Sequence, residues 1–135
     1  MNDEKIMPNP QFPYEETLKY IKLAQSDKLK VVYFDIFSCR SNKDFYDAFA
    51  TAVLKQTSSK LEDWLENIRL FLSRISPKIS MGTDSTMDLS VSLEMNPKSN
   101  DVDEILQFPE KIAKKKGCNI VVCIDEFQQI AEFKD

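Results

Sequence analysis

Asp125 and Glu126 follow the apolar run Ile120-Val121-Val122-Cys123-Ile124, which places two adjacent carboxylates at the tip of what reads as a strand buried on both faces. This pair suits magnesium-assisted phosphoryl transfer. The first acid can hold Mg²⁺ through water, because magnesium keeps several waters in its octahedron. The second can orient or deprotonate an attacking water, and phosphoryl transfer needs positioning and charge neutralisation more than covalent chemistry. The phosphates themselves need a cradle of the form G-x-x-x-x-G-K-[ST]. The only glycines are Gly82 and Gly117, and neither opens that pattern. An acidic pair can also do no more than end a strand. The preceding Lys114-Lys115-Lys116-Gly117, a matched upstream strand and the continuation Phe127-Gln128-Gln129-Ile130 favour chemistry over that plainer reading.

The elements that must position these acids follow from periodicity. Lys30 to Phe37 (K-V-V-Y-F-D-I-F) is a second apolar run rich in β-branched and aromatic residues, and reads as another buried strand. Helical patterns separate the two runs, so the expected fold class is α/β, with a right-handed parallel βαβ crossover. Ligands of open α/β sheets sit beyond the carboxyl ends of the strands, where Asp35 and Asp125-Glu126 lie. Asp35 reads equally as a site residue and as a loop anchor.

Pro8, Pro10 and Pro13 make residues 1–13 an extended or disordered arm, with one domain over 14–135. A short amphipathic helix follows, carrying Leu18, Ile21 and Ala24 on one face. Ser41-Asn42-Lys43-Asp44 is a capping-box variant opening a helix, and Ser59-Lys60-Leu61-Glu62 opens a second, carrying Trp64 and Leu72 to a stop at Pro77. Met87 to Met95 then alternate apolar with polar residues. With Ile79 and Met81 they predict an inserted β-hairpin over about 78–95. Pro109 splits or kinks the next helical stretch, and Gly117 closes it.

Composition removes whole classes of function. With 135 residues and 42% hydrophobic content, the chain can bury one modest core. It contains no histidine, which excludes Ser-His, Cys-His and His-ligated zinc mechanisms. Net charge is −4 and the one basic cluster, Lys114 to Lys116, sits at a helix end, so no nucleic-acid footprint is expected. Cys39, Cys118 and Cys123 form no C-x-x-C pair, which fits free thiols in a reducing cytoplasm, with Cys123 as a core residue. No apolar run is long enough for a membrane span.

The segments Lys30 to Phe37, Ser41 to Phe45 and Phe108 to Ile130 (F-P-E-K-I-A-K-K-K-G-C-N-I-V-V-C-I-D-E-F-Q-Q-I) together resemble the archaeal-type ATPases of the AAA+/STAND-related P-loop group, over residues 28–135. The resemblance implies a partial P-loop core running from after Walker A through Walker B. It assigns Asp125 to the Walker B magnesium aspartate, Glu126 to the catalytic glutamate, and Gln128 to a position that could sense the nucleotide. ATP and Mg²⁺ are the implied cofactors of an intact parent. The departure is at the start: Gln11 to Thr17 stand where the Walker A loop is expected, and Glu15 and Glu16 there would repel phosphate. The expectation is therefore a truncated ATPase, inactive alone. The alternative is a non-catalytic interaction module that self-associates through exposed strand edges.

Overall fold

The computed structural model describes residues 13–58, 60, 62–63, 65–67, 76–80, 90–94 and 101–134. Helix α1 (Pro13–Ala24) leads into β1 (Leu29–Asp35) and α2 (Asn42–Thr57). Strands β2 (Ser76–Ser80) and β3 (Ser90–Glu94) come next, followed by α3 (Asp101–Leu106), α4 (Phe108–Lys116), β4 (Asn119–Asp125) and a 3-10 turn over Phe127–Glu132. Residues 62–63 and 65–67 are also helical, in agreement with the second expected helix. The expected arm, Trp64, Leu72, Met81 and the turn of the hairpin lie outside the described residues.

The mixed α/β reading holds. β1 and β4 pair in parallel over their whole length, from Leu29 opposite Asn119 to Asp35 opposite Asp125. The expected hairpin is also present, with β2 and β3 antiparallel and Ile79 opposite Val91. Pro77 was expected to stop the preceding helix; it lies one residue inside β2. It faces Leu93, whose N–H points away from β2 to the Asp47 carboxylate at 2.8 Å. The pair is thus a non-hydrogen-bonded one, and a missing proline N–H removes no ladder bond there.

Helix α2 starts where its cap requires. The Ser41 hydroxyl accepts the Asp44 N–H at 3.1 Å, and the Asp44 carboxylate reaches back to the Arg40 N–H at 2.9 Å. Two otherwise orphaned donors are satisfied by this exchange. One face of the helix buries Phe49, Val53 and Leu54 against Val32, Phe34 and Ile36 of β1 and its extension, and against Val91 and Leu93 of β3. Phe34, Phe45 and Phe49 meet with ring centroids 6.0–6.2 Å apart. Ile105, Phe108 and Ile112 complete the same core from α3 and α4.

Polar side chains of α2 also satisfy strand edges. The Gln56 amide donates to the Tyr33 carbonyl at 2.7 Å and accepts the Tyr33 N–H at 2.8 Å, acting as a one-residue strand on the outer edge of β1. Thr51 accepts the Val91 N–H at 3.0 Å on the outer edge of β3, beside the Asp47 contact to Leu93.

Helix α4 ends at Gly117, whose φ of 67° is the left-handed conformation that glycine adopts without strain. Two of its three lysines tie the helix to other elements, and the third pairs within it. Lys116 donates to the Thr57 carbonyl at the end of α2. Lys115 donates to Asn67, a residue 1% exposed, and Lys114 pairs with Glu110. Cys123 is half-buried on the sheet face away from the main core, which corrects its reading as a core residue. The deeply buried thiol is Cys39, at the turn after β1.

Gln56→Ala leaves the Tyr33 N–H and carbonyl without their strand surrogate. It is expected to lower stability by roughly 1 kcal/mol, since the freed groups lie near solvent. Urea unfolding with an unchanged slope checks this.

Candidate functional site

β1 and β4 end side by side, so their last residues, Asp35 and Asp125, are register partners at the carboxyl edge of the parallel sheet. The ladder continues one step further, with the Ile36 N–H donating to the Asp125 carbonyl at 3.2 Å. Side chains alternate along the strands. Val32, Phe34, Val122 and Ile124 therefore point into the core, while Tyr33, Cys123 and Asp125 share the opposite face.

Asp125 is held at both carboxylate oxygens. Its Oδ2 accepts the Tyr33 hydroxyl at 2.5 Å, and its Oδ1 accepts the Glu126 N–H at 2.8 Å. The sequence reading missed Tyr33. Its signal was a phenol inside an apolar strand two residues before an acid, since a half-buried tyrosine hydroxyl needs a polar partner.

Glu126 has φ 59° and ψ 38°, the only positive φ at a non-glycine among the described residues. A glutamate there stores strain, and such residues concentrate at functional turns. The turn throws the chain into the 3-10 segment at once. The Gln128 amide donates to Glu126 Oε2, so the residue singled out as a sensor fixes the neighbouring carboxylate.

Asp35 anchors its own turn, with Oδ1 accepting the Phe37 N–H at 2.7 Å. Beside it an open cleft of about 600 Å³ is lined by Tyr33, Phe34, Asp35, Phe37 and Ser38. Asp125 does not line this cleft; Tyr33 joins the two. The loops after β1 and β4 are tied together as well: Gln129 Nε2 donates to the Cys39 carbonyl at 3.1 Å, and the Lys134 N–H to the Arg40 carbonyl at 3.3 Å. Arg40 braces its own loop through Nη1 to the Phe37 carbonyl at 2.8 Å. Burial, aided by the nearby Asp44, Asp35 and Asp47 carboxylates, pushes the Cys39 thiol above its usual range, and Arg40 partly opposes this.

No group of three or more Asp, Glu, Cys or His side chains among the described residues could cage a metal ion. The donor set fits a narrower role. Each carboxylate oxygen of Asp125 keeps a second lone pair beyond its present donor, which allows it to accept a magnesium-bound water while phosphates supply inner ligands.

Comparison of the chain with family models, curated proteins and solved structures finds no match. No helix among the described residues is long and apolar enough to cross a membrane.

Two outcomes follow from this geometry. Glu126→Asn should hold or raise stability, because asparagine tolerates the left-handed region, whereas Glu126→Val should lose roughly 1–2 kcal/mol. Paired urea titrations separate the two. At Cys39 the folded state favours the protonated thiol, so its contribution is fully present below the unfolded thiol pKa and is lost as pH rises through the raised folded value. Stability should fall above about pH 9. Alkylation of native protein should modify Cys118 and Cys123 before Cys39.

Proposed function

We propose that the chain is the Walker B portion of a P-loop ATPase, spanning the region from after Walker A through Walker B. The observation that carries this reading is the register of β1 with β4. Two adjacent parallel strands end together, with Asp125 at the last ladder position and Glu126 in the turn immediately beyond it. Open α/β sheets place their ligands at that edge. The crossover between the strands is read as right-handed, as in nearly all such units.

In this reading Asp125 holds a magnesium-bound water and Tyr33 fixes the rotamer from which it does so. Glu126, steadied by Gln128, positions or deprotonates the water that attacks the terminal phosphate. When bound, Mg²⁺ supplies charge neutralisation on the phosphates. The chain has no glycine-rich loop to offer a triphosphate a row of backbone N–H groups, so nucleotide hydrolysis by it alone is not expected.

A second reading is a non-catalytic interaction module, and a specific observation favours it. On the outer edge of β4, the backbone N–H and C=O groups of Ile120, Val122 and Ile124 meet no hydrogen-bond partner among the described residues, although their side chains pack against the core, whereas Gln56 fills the equivalent place on β1.

Isothermal calorimetry with ATP and Mg²⁺ tests the first reading. Weak binding that disappears in Asp125→Ala, and is reduced in Tyr33→Phe, is the expected result. Binding that survives Asp125→Ala would remove Asp125 from the site and sink the assignment.

A further inference from the structure

The edges of the two small sheets are treated unequally. β1 is capped on its outer edge by the Gln56 amide. β3 is capped by Thr51 and Asp47. β2 presents Pro77, which offers no N–H to an incoming strand. These are the devices by which proteins blunt sheet edges. Among the described residues β4 has none of them, and its sequence Asn119-Ile-Val-Val-Cys-Ile-Asp125 contains no lysine, proline or glycine.

The pattern of that open edge is self-complementary. The Asn119 N–H bonds the Lys28 carbonyl, and the Asp125 carbonyl accepts from Ile36, so the odd-numbered residues of β4 face β1. The even-numbered residues, Ile120, Val122 and Ile124, therefore present N–H and C=O groups outward. We infer that β4 pairs antiparallel with β4 of a second copy of this chain, about a two-fold axis through Val122. This deepens the second reading above and does not depend on nucleotide binding.

In that register Ile120 faces the partner's Ile124 and Val122 faces the partner's Val122, and every such pair exchanges both of its hydrogen bonds. The four-stranded sheet that results runs β1-β4-β4-β1. Its ends match chemically, because Asn119 falls opposite the partner's Asp125, an amide donor against a carboxylate. Val121, 46% exposed, falls opposite the partner's Cys123. A shift of one residue either way would oppose an outward-facing residue with an inward-facing one and forfeit the bonds, and a shift of two keeps the pattern but leaves residues at each end unpaired, so the register centred on Val122 pairs the most of the strand.

The Val121–Cys123 juxtaposition provides the test. These residues form non-hydrogen-bonded pairs, whose Cβ atoms approach to about 4.5 Å, within reach of a disulfide after small adjustment. The full chain carrying Val121→Cys, with Cys39 and Cys118 replaced by Ser, is oxidised and its cross-links are mapped by mass spectrometry. A covalent dimer joined through residues 121 and 123 is expected. Sedimentation of the unmodified chain should show a concentration-dependent dimer. Val121→Lys, an exposed change that circular dichroism should show to be folded, should weaken that dimer at least tenfold. A dimer that ignores Val121→Lys and links through other residues overturns pairing at β4 while leaving self-association through another surface, and with it the second reading, standing. A chain that stays monomeric at all concentrations overturns both.

Discussion

The structure depends on satisfying backbone groups that its small sheets leave facing outward. A two-stranded sheet pairs only half of the N–H and C=O groups of each strand, and a buried unpaired group costs roughly 1–3 kcal/mol. Helix α2 supplies what further strands would supply in a larger sheet. Its apolar face packs Phe49, Val53 and Leu54 into the core, while Asp47, Thr51 and Gln56 reach the edges of β3 and β1. One helix thus joins two sheets that share no hydrogen bond with each other among the described residues. A purely apolar helix could bury as much surface but would leave these edges unpaired.

The same economy shapes the strand tips. Parallel pairing of β1 with β4 brings the loops after them together, and they exchange hydrogen bonds: the Ile36 N–H to the Asp125 carbonyl, the Gln129 side-chain amide to the Cys39 carbonyl and the Lys134 N–H to the Arg40 carbonyl. Cys39 is sealed beneath this junction, which is why burial is the main cause of its raised thiol pKa. A tip latched at several points can hold Glu126 in a left-handed conformation that an isolated glutamate would avoid. Asp125 and Glu126 are therefore positioned by the backbone of both loops as well as by the Tyr33 and Gln128 side chains. Pre-organisation of this kind is what a catalytic carboxylate needs.

Much of this was legible in the sequence, and the reason differs by element. The two parallel strands announced themselves because their runs are apolar at nearly every position, but the burial on both faces expected of them is not met by β4, which has no fully buried residue and leaves Val121 46% exposed. The hairpin was legible through the strict alternation of β3, which packs Val91 and Leu93 inward and turns Ser90 and Glu94 to solvent. Pro77 misled because proline breaks a helix and fits an edge strand equally well; only the partner strand decides. The site was half legible. The acids could be found from their place at a strand end, but the groups that hold them could not. Tyr33 lies 92 residues before Asp125, and register alone brings them together. Gln56 carries no local signal at all, since a glutamine near a helix end is ordinary unless an unpaired strand edge lies beside it.

In the proposed pairing of two copies through β4, the charge at its acidic tip bears on which strand direction is favoured. Parallel pairing of β4 with β4 would set Asp125 beside Asp125, and like charges directly opposite are destabilising in a sheet. Antiparallel pairing sends the two tips to opposite ends, about 20 Å apart for seven residues at roughly 3.4 Å each. Each carboxylate then meets the amide of Asn119, and its bond to Tyr33 lies on the face of the sheet, clear of the edge being paired. The residue types at the two ends of β4, one amide and one acid, thus select the closed, two-fold arrangement and leave both Asp125-Glu126 turns open to solvent.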